Sequence, residues 1–280
     1  MFRDDLLKGR RILITGGGTG IGLSIGRRVL ELGAELIICG RREEVLANAA
    51  NELRAATGGT VYTNRCDVRD PQQVDEFLAW AFAEAPPDSL INNAAGNFIS
   101  RSEELSPRAV DAVLGIVLHG SAYMTLGCGR RWLASKTEAA VLSIITTYAW
   151  TGSAYVVPSA MAKAGVLAMT RSLAVEWGGR GVRLNAIAPG PFPTAGAWER
   201  LVPKPELAAA FEAKNPLKRA GEHGELANLA CYLLAKESGY INGEVVTIDG
   251  GEWLQGAGQF NFVGEHMSDA DWDALKPKKK

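Results

Sequence analysis

The sequence predicts an α/β fold: a doubly wound sandwich of three layers around a seven-stranded parallel sheet. Short apolar, β-branched runs alternate with helical patterns along the chain, and parallel strands need such a crossover between them. The length of 280 residues, with 47% apolar and 22% charged residues, suits one large domain with a well-buried core. No repeat or low-complexity linker divides the chain, so residues 1–280 read as a single catalytic domain of the dinucleotide-binding kind.

Strands are expected at 11–15, 35–39, 60–64, 89–92, 140–145, 183–188 and 244–248. The helical patterns between them cover 20–32, 43–56, 71–83, 107–133 and 159–176, and Pro71 fits a first helical turn. Residues 191–220 differ, because Pro191, Pro193, Pro203, Pro205 and Pro216 punctuate short helical pieces. That argues for a segment lying over the strand ends, a substrate lid. The extension 252–280 holds Trp253, Phe260, Phe262 and Trp272, too apolar for a disordered tail, and is expected to pack on its own subunit or a neighbour.

Composition excludes several function classes. A net charge of −1 recruits neither nucleic acid nor an anionic membrane, and the closing Lys-Pro-Lys-Lys-Lys reads as a solvated end. Cys39, Cys66, Cys128 and Cys231 lack Cys-x-x-Cys spacing, which favours reduced thiols over a disulfide framework or zinc site. His119, His223 and His266 are scattered and read as surface or satisfied core residues, so no metal is expected. The N-terminus shows no signal peptide, the C-terminus no Ser-Lys-Leu address, and no apolar run approaches the ~18 residues of a membrane span. The expectation is a cytoplasmic protein.

Thr15-Gly16-Gly17-Gly18-Thr19-Gly20-Ile21-Gly22 follows the first strand. A glycine-rich turn between strand and helix lets the backbone approach a pyrophosphate at the helix N-terminus, so Thr15, Gly16, Thr19, Gly20, Ile21 and Gly22 are assigned to a dinucleotide. A glycine turn with no ligand is the plainer alternative. The second strand ends in Cys39-Gly40-Arg41-Arg42, with no acid before Glu43. Two guanidiniums suit the ribose 2′-phosphate and a carboxylate would repel it, so the cofactor is read as NADPH through Arg41 and Arg42.

With Asp67-Val68, Asn92-Asn93-Ala94-Ala95-Gly96, Lys163, Pro189-Gly190 and Asp249-Gly250-Gly251 added in order, residues 8–251 resemble the short-chain dehydrogenase/reductase superfamily, whose fold is Rossmann-like. The resemblance implies that Asp67, beside Val68, contacts adenine and that Asn93, Ala94 and Gly96 stabilise the sheet next to the cofactor. Lys163 would hold the nicotinamide ribose, with Pro189, Gly190 and Thr194 bordering the nicotinamide. Three positions depart from the superfamily pattern: Ser159 replaces the tyrosine four residues before Lys163, Thr146 takes the usual serine slot, and Val117 stands where asparagine is common.

Asn97-Phe98-Ile99-Ser100 after the asparagine motif, Thr146-Thr147-Tyr148-Ala149 and Val157-Pro158-Ser159-Ala160 resemble NADPH-dependent 2,4-dienoyl-CoA reductases of the mitochondrial type. This resemblance assigns the functional set Asn97, Tyr148, Ser159 and Lys163. Peroxisomal relatives lack the shifted tyrosine, so Tyr148 bears on mechanism and not on location. The implied reaction takes hydride at C5 of a dienoyl thioester, with Tyr148 and Asn97 donating hydrogen bonds to the thioester oxygen. Ser159 would contact substrate or ribose, and an acyl-CoA substrate and a homo-oligomer, commonly a tetramer, are implied. From the residues alone, Tyr148 could instead pack at the strand end under the loop of Trp150, and Asn97 could cap its loop. Arg200, Lys204, Lys214, Lys218 and Arg219 stand in or beside the lid as cations for CoA phosphates or as solvated residues. A reductase of another enoyl thioester or ketone and a catalytically silent NADP-binding protein remain alternatives.

Overall fold

The computed structural model describes residues 2–84, 86–194, 204–261, 263 and 266–275. Seven strands form one sheet: β1 (Arg11–Thr15), β2 (Glu35–Gly40), β3 (Val61–Arg65), β4 (Ser89–Asn92), β5 (Ala139–Ile144), β6 (Val182–Pro189) and β7 (Val245–Ile248). All pairs are parallel and the spatial order is β3-β2-β1-β4-β5-β6-β7. Successive strand residues serve opposite faces. Ile12, Ile14, Leu36 and Ile38 enter one core, while Leu13, Ile37, Leu90 and Val141 enter the other.

The first core is covered by α1 (Gly20–Glu31), α2 (Glu43–Thr57) and a helix at His223–Leu234. On α1 the buried positions Gly22, Ile25, Gly26, Val29 and Leu30 recur at helical spacing, which turns one stripe toward the sheet. The second core is covered by α3 (Pro71–Glu84) and by the long helices Pro107–Ser135 and Val157–Gly178, whose Trp132 and Trp177 are buried there. Trp132 donates its indole N–H to Pro87 O at 2.7 Å, satisfying a buried polar group.

Helix ends agree with the sequence expectation to within a few residues, with some differences. Residues Pro107–Ser135 run as α4 (Pro107–Leu114), a π turn at Gly115–His119 and α5 (Gly120–Ser135). By length and composition this helix reaches what a membrane span needs, contrary to the expectation from its sequence, in which polar residues interrupt every apolar run. Its Met124, Cys128 and Trp132 are instead buried against the sheet. Residues Tyr148–Thr151 form a four-residue helix, α6, that the sequence did not reveal, and α7 is Val157–Gly178. Of the segment read as a lid, 195–203 lies outside the described residues, Arg200 with it; the rest includes α8 (Pro205–Lys214). The helix His223–Leu234, α9, was not assigned from sequence. Past β7 come α10 (Glu252–Ala257) and α11 (Asp269–Ala274), while Phe262 lies outside the described residues.

The four cysteines are free and buried. Cys39, Cys66 and Cys128, distant in sequence, meet in the second core. A hydrogen bond between the first two, with burial, pushes the Cys39 thiol well up.

Candidate active site

The strand order reverses direction between β1 and β4, the position where a doubly wound sheet opens a crevice beyond its strand ends. A cleft of about 1170 Å³ lies there, and its walls include Asn97, Tyr148, Ser159, Lys163, Pro189 and Thr194. Ile21, Asn93, Gly96 and Gly190 also reach it. Arg41, Arg42, Asp67 and Val68 lie outside this wall, beyond the ends of β2 and β3.

The β1–α1 turn is built for close backbone approach. Gly16 has φ +65°, a region that costs other residues strain. A Cβ on Gly22 would stand 2.5 Å from Asn93 Nδ2 and 2.6 Å from Gly16 O, so only glycine fits. Thr15 and Asn93 join the two strand ends. The Thr15 hydroxyl accepts from Asn93 N at 3.1 Å and Ala94 N at 3.0 Å, while Asn93 Nδ2 donates to Thr15 O at 3.0 Å. Thr19 occupies the N-cap of α1 without capping it through its side chain, leaving first-turn N–H groups to an incoming anion. The exposed Arg41 and Arg42 stand at the end of β2. The Arg69 guanidinium donates to Asp67 at 2.9 Å and holds that carboxyl below its usual range, with Arg41 adding to the effect. These residues fit a phosphate-bearing dinucleotide with an extra ribose phosphate.

The reacting side is built at the ends of β4 and β5. Asn97 Nδ2 donates to Tyr148 Oη at 3.2 Å, and Asn97 Oδ1 accepts from Phe98 N at 2.9 Å, which fixes the amide's orientation. Tyr148 Oη stands 3.0 Å from Ser159 Oγ. The sequence-derived trio therefore meets on one phenol oxygen. Burial pushes the Tyr148 phenol above its ordinary value, and hydrogen bonds with Ser159 and Thr146 only oppose that rise. The raised value keeps the phenol proton in place at neutral pH. Lys163 is buried and donates to Ile144 O. Burial pulls its ammonium down to about 8. Val117, at the asparagine position, is buried in the π turn on the cleft wall.

Sequence reasoning missed the part played by residues beyond β7. Asp249 accepts from Gly251 N at 2.9 Å and Trp253 N at 3.0 Å, which aims Trp253 into the cleft wall. Its ring meets Trp150 edge-on, centroids 5.9 Å apart at 86°, on the helix that carries Tyr148. Glu252 lines the cleft too, its carboxyl pushed up first by burial and then by Asp249. Thr146, a departure from the superfamily pattern, also forms a side-chain hydrogen bond with Tyr148. Excess aromatic content in the tail was the only sequence signal for Trp253.

A parallel sheet in this order, a glycine turn at its switch point and a lysine–hydroxyl set beside it define a dinucleotide-dependent reductase of the short-chain kind. The family described as enoyl-(acyl carrier protein) reductase matches residues 16–252, and the chain belongs to this family of short-chain dehydrogenases/reductases. A relative named probable 2,4-dienoyl-CoA reductase 3 [(3E)-enoyl-CoA-producing], from Caenorhabditis elegans, is 43% identical over 98% of this chain and 88% of its own. A probable 2,4-dienoyl-CoA reductase [(2E)-enoyl-CoA-producing] from Bacillus subtilis is 41% identical over 88% of this chain and 97% of its own. Among solved structures, a gluconate 5-dehydrogenase from Burkholderia cenocepacia in complex with NADP and tartrate is 28% identical, with TM-score 0.84 over 90% of this chain and 98% of that one.

Proposed function

We propose that the chain is an NADPH-dependent reductase of 2,4-dienoyl-CoA thioesters, forming 3-enoyl-CoA in the oxidation of unsaturated fatty acids. The observation that carries the reading is the position of the Tyr148 phenol, held by Asn97 and Ser159 on the wall of a cleft of about 1170 Å³. The names of the C. elegans and B. subtilis relatives support it. Residues Gly16–Gly22 and Arg41–Arg42 hold the cofactor's phosphates, and Lys163 its nicotinamide ribose. Bound NADPH supplies a hydride for C5 of the dienoyl chain. The thioester oxygen, several atoms from that carbon, gathers negative charge as the π-system shifts. Tyr148 donates a hydrogen bond to this oxygen, and the second N–H of Asn97 is available for the same task. Such donors lower the barrier by a few kcal/mol each, about 3 kcal/mol in measured cases. Protonation at Cα, from Tyr148 or a water it orients, completes the 3-enoyl product. Carbonyl reduction needs its acid beside the hydride-accepting carbon, and this acid has moved away from it, with Ser159 left at the usual tyrosine position as its hydrogen-bond partner.

Mixing purified protein with NADPH and 2,4-hexadienoyl-CoA tests the reading through loss of dienoyl absorbance. Turnover of a 2-enoyl-CoA or a ketone with none of the dienoyl thioester overturns it, and so does NADPH binding with no turnover of any of these. Identification of the product's double-bond position separates 3-enoyl from 2-enoyl formation, the point on which the names of the two relatives differ.

A further inference from the structure

We infer that His223 is a positioning residue for this reaction, clamping the loop 190–194 onto α1, the helix that follows the dinucleotide turn. The inference rests on the reading that this turn holds the cofactor's phosphates. Both ring nitrogens of His223 are engaged, and across long sequence distances. Nδ1 lies 2.7 Å from Ser24 Oγ on α1, and Nε2 lies 2.8 Å from the backbone oxygen of Pro193. Ser24 itself reaches back one turn to Gly20 O at 3.1 Å. One side chain thus connects α1, the start of α9 and the loop that carries Thr194.

A proton inventory assigns the roles. Pro193 O can only accept, so Nε2 carries a hydrogen. In the neutral ring Nδ1 is then an acceptor and takes the single hydroxyl proton of Ser24, which is shared with the competing acceptor Gly20 O. Thr194 follows Pro193 directly and packs on Gly20, where a Cβ would meet Thr194 Cγ2 at 3.1 Å. The His223 clamp therefore sets the distance between the cleft wall at Thr194 and the phosphate turn at Gly20. The same short segment holds the loop a second time. Gly221 N donates to Pro191 O at 2.9 Å, and Phe192 packs so closely that a Cβ on Gly221 would lie 2.3 Å from Phe192 Cζ. Those contacts anchor the loop to the start of α9, which Arg28 Nε ties to α1 through Asn228 Oδ1 at 2.8 Å; His223 adds the link that runs directly from the loop to α1.

Wild type, His223→Ala, His223→Gln, Ser24→Ala and the Ser24→Ala/His223→Ala pair would be compared for NADPH Kd, for kcat/KM with 2,4-hexadienoyl-CoA, and for Tm. His223→Ala is expected to raise the NADPH Kd and lower kcat/KM by about threefold to tenfold each, the effect of a lost hydrogen bond. His223→Gln, whose amide can donate to Pro193 O, should recover most of that loss. The double variant should be no worse in Kd than His223→Ala, because both changes break one linkage. A lower Tm with NADPH Kd and kcat/KM at wild-type values overturns the inference, as does additivity of the two substitutions. Wild type that binds NADPH but leaves the dienoyl thioester untouched sinks the proposed function while the Kd comparison still decides on His223. Wild type that does not bind NADPH overturns both.

Discussion

In the proposed reaction Tyr148 works through its proton and not through a lowered acidity. Burial drives the phenol above its ordinary value of 10.0, so at neutral pH it is uncharged, with its oxygen held by Asn97 and Ser159. Tyr148→Phe keeps the ring and removes that proton; kcat is expected to fall by about 10²–10³, with the NADPH Kd unchanged, in steady-state and direct-binding measurements. Full activity in this variant would remove Tyr148 from the reaction. Lys163 supplies a pH signature of its own. Its ammonium, pulled to about 8 by burial, is charged below that pH and neutral above it. Because the charged form is the better donor to ribose hydroxyls, kcat/KM for NADPH should hold below pH 8 and fall as pH rises through it. In Lys163→Arg the guanidinium stays charged, so the remaining activity should lose that limb. A limb still centred near pH 8 in Lys163→Arg assigns the titration to another group.

At the scale of elements, the unusual one is α6. Four residues make too short a helix to stand by their own hydrogen bonds, so Tyr148–Thr151 depends on what surrounds it. Asn97 and Ser159 hold its first residue, and Trp253 meets the ring of its third. An edge-on aromatic pair contributes about 0.5–1.5 kcal/mol beyond its burial. Trp253→Ala should accordingly lower kcat by roughly 2- to 10-fold and leave NADPH affinity in place, while Trp253→Phe stays near wild type. Equal losses in both variants would mean that the indole touches substrate instead of bracing α6. This element also marks where the sequence stops being legible. The inner strands β1, β2, β4, β5 and β6 could be read because their apolar runs are largely buried on both faces, the half-buried edge strands β3 and β7 from their short β-branched runs, and Tyr148, Ser159 and Lys163 because their spacing is local. A four-residue helix shows no period, and the Trp150–Trp253 contact joins segments separated by two strands. Likewise the bond from Asn97 to Tyr148 exists only because β4 and β5 are neighbours, a matter of strand order and not of motif.

For the molecule as a whole, strand order decides where chemistry occurs. The reversal between β1 and β4 puts the glycine turn, the asparagine loop and the end of β5 around one crevice, while the ends of β2 and β3 supply cations at its far side. Cofactor binding should therefore stabilise the entire fold by linkage, since the unfolded chain brings none of these segments together. NADPH at one hundred times its Kd adds about 2.7 kcal/mol, which in a chain of this size raises Tm by roughly 5 °C. NADH presents no 2′-phosphate to Arg41 and Arg42, and hydrogen bonds to charged groups contribute about 1.5–3 kcal/mol each. At the same concentration NADH should shift Tm by about 1 °C or less. Replacing both guanidiniums, as Arg41→Ala/Arg42→Ala, should bring the NADPH shift down to the NADH value and leave the Tm of the ligand-free protein nearly unchanged, because both side chains are exposed. Thermal melts of wild type and double variant with each nucleotide decide the matter: equal shifts for the two nucleotides in wild type would place cofactor selection outside the end of β2.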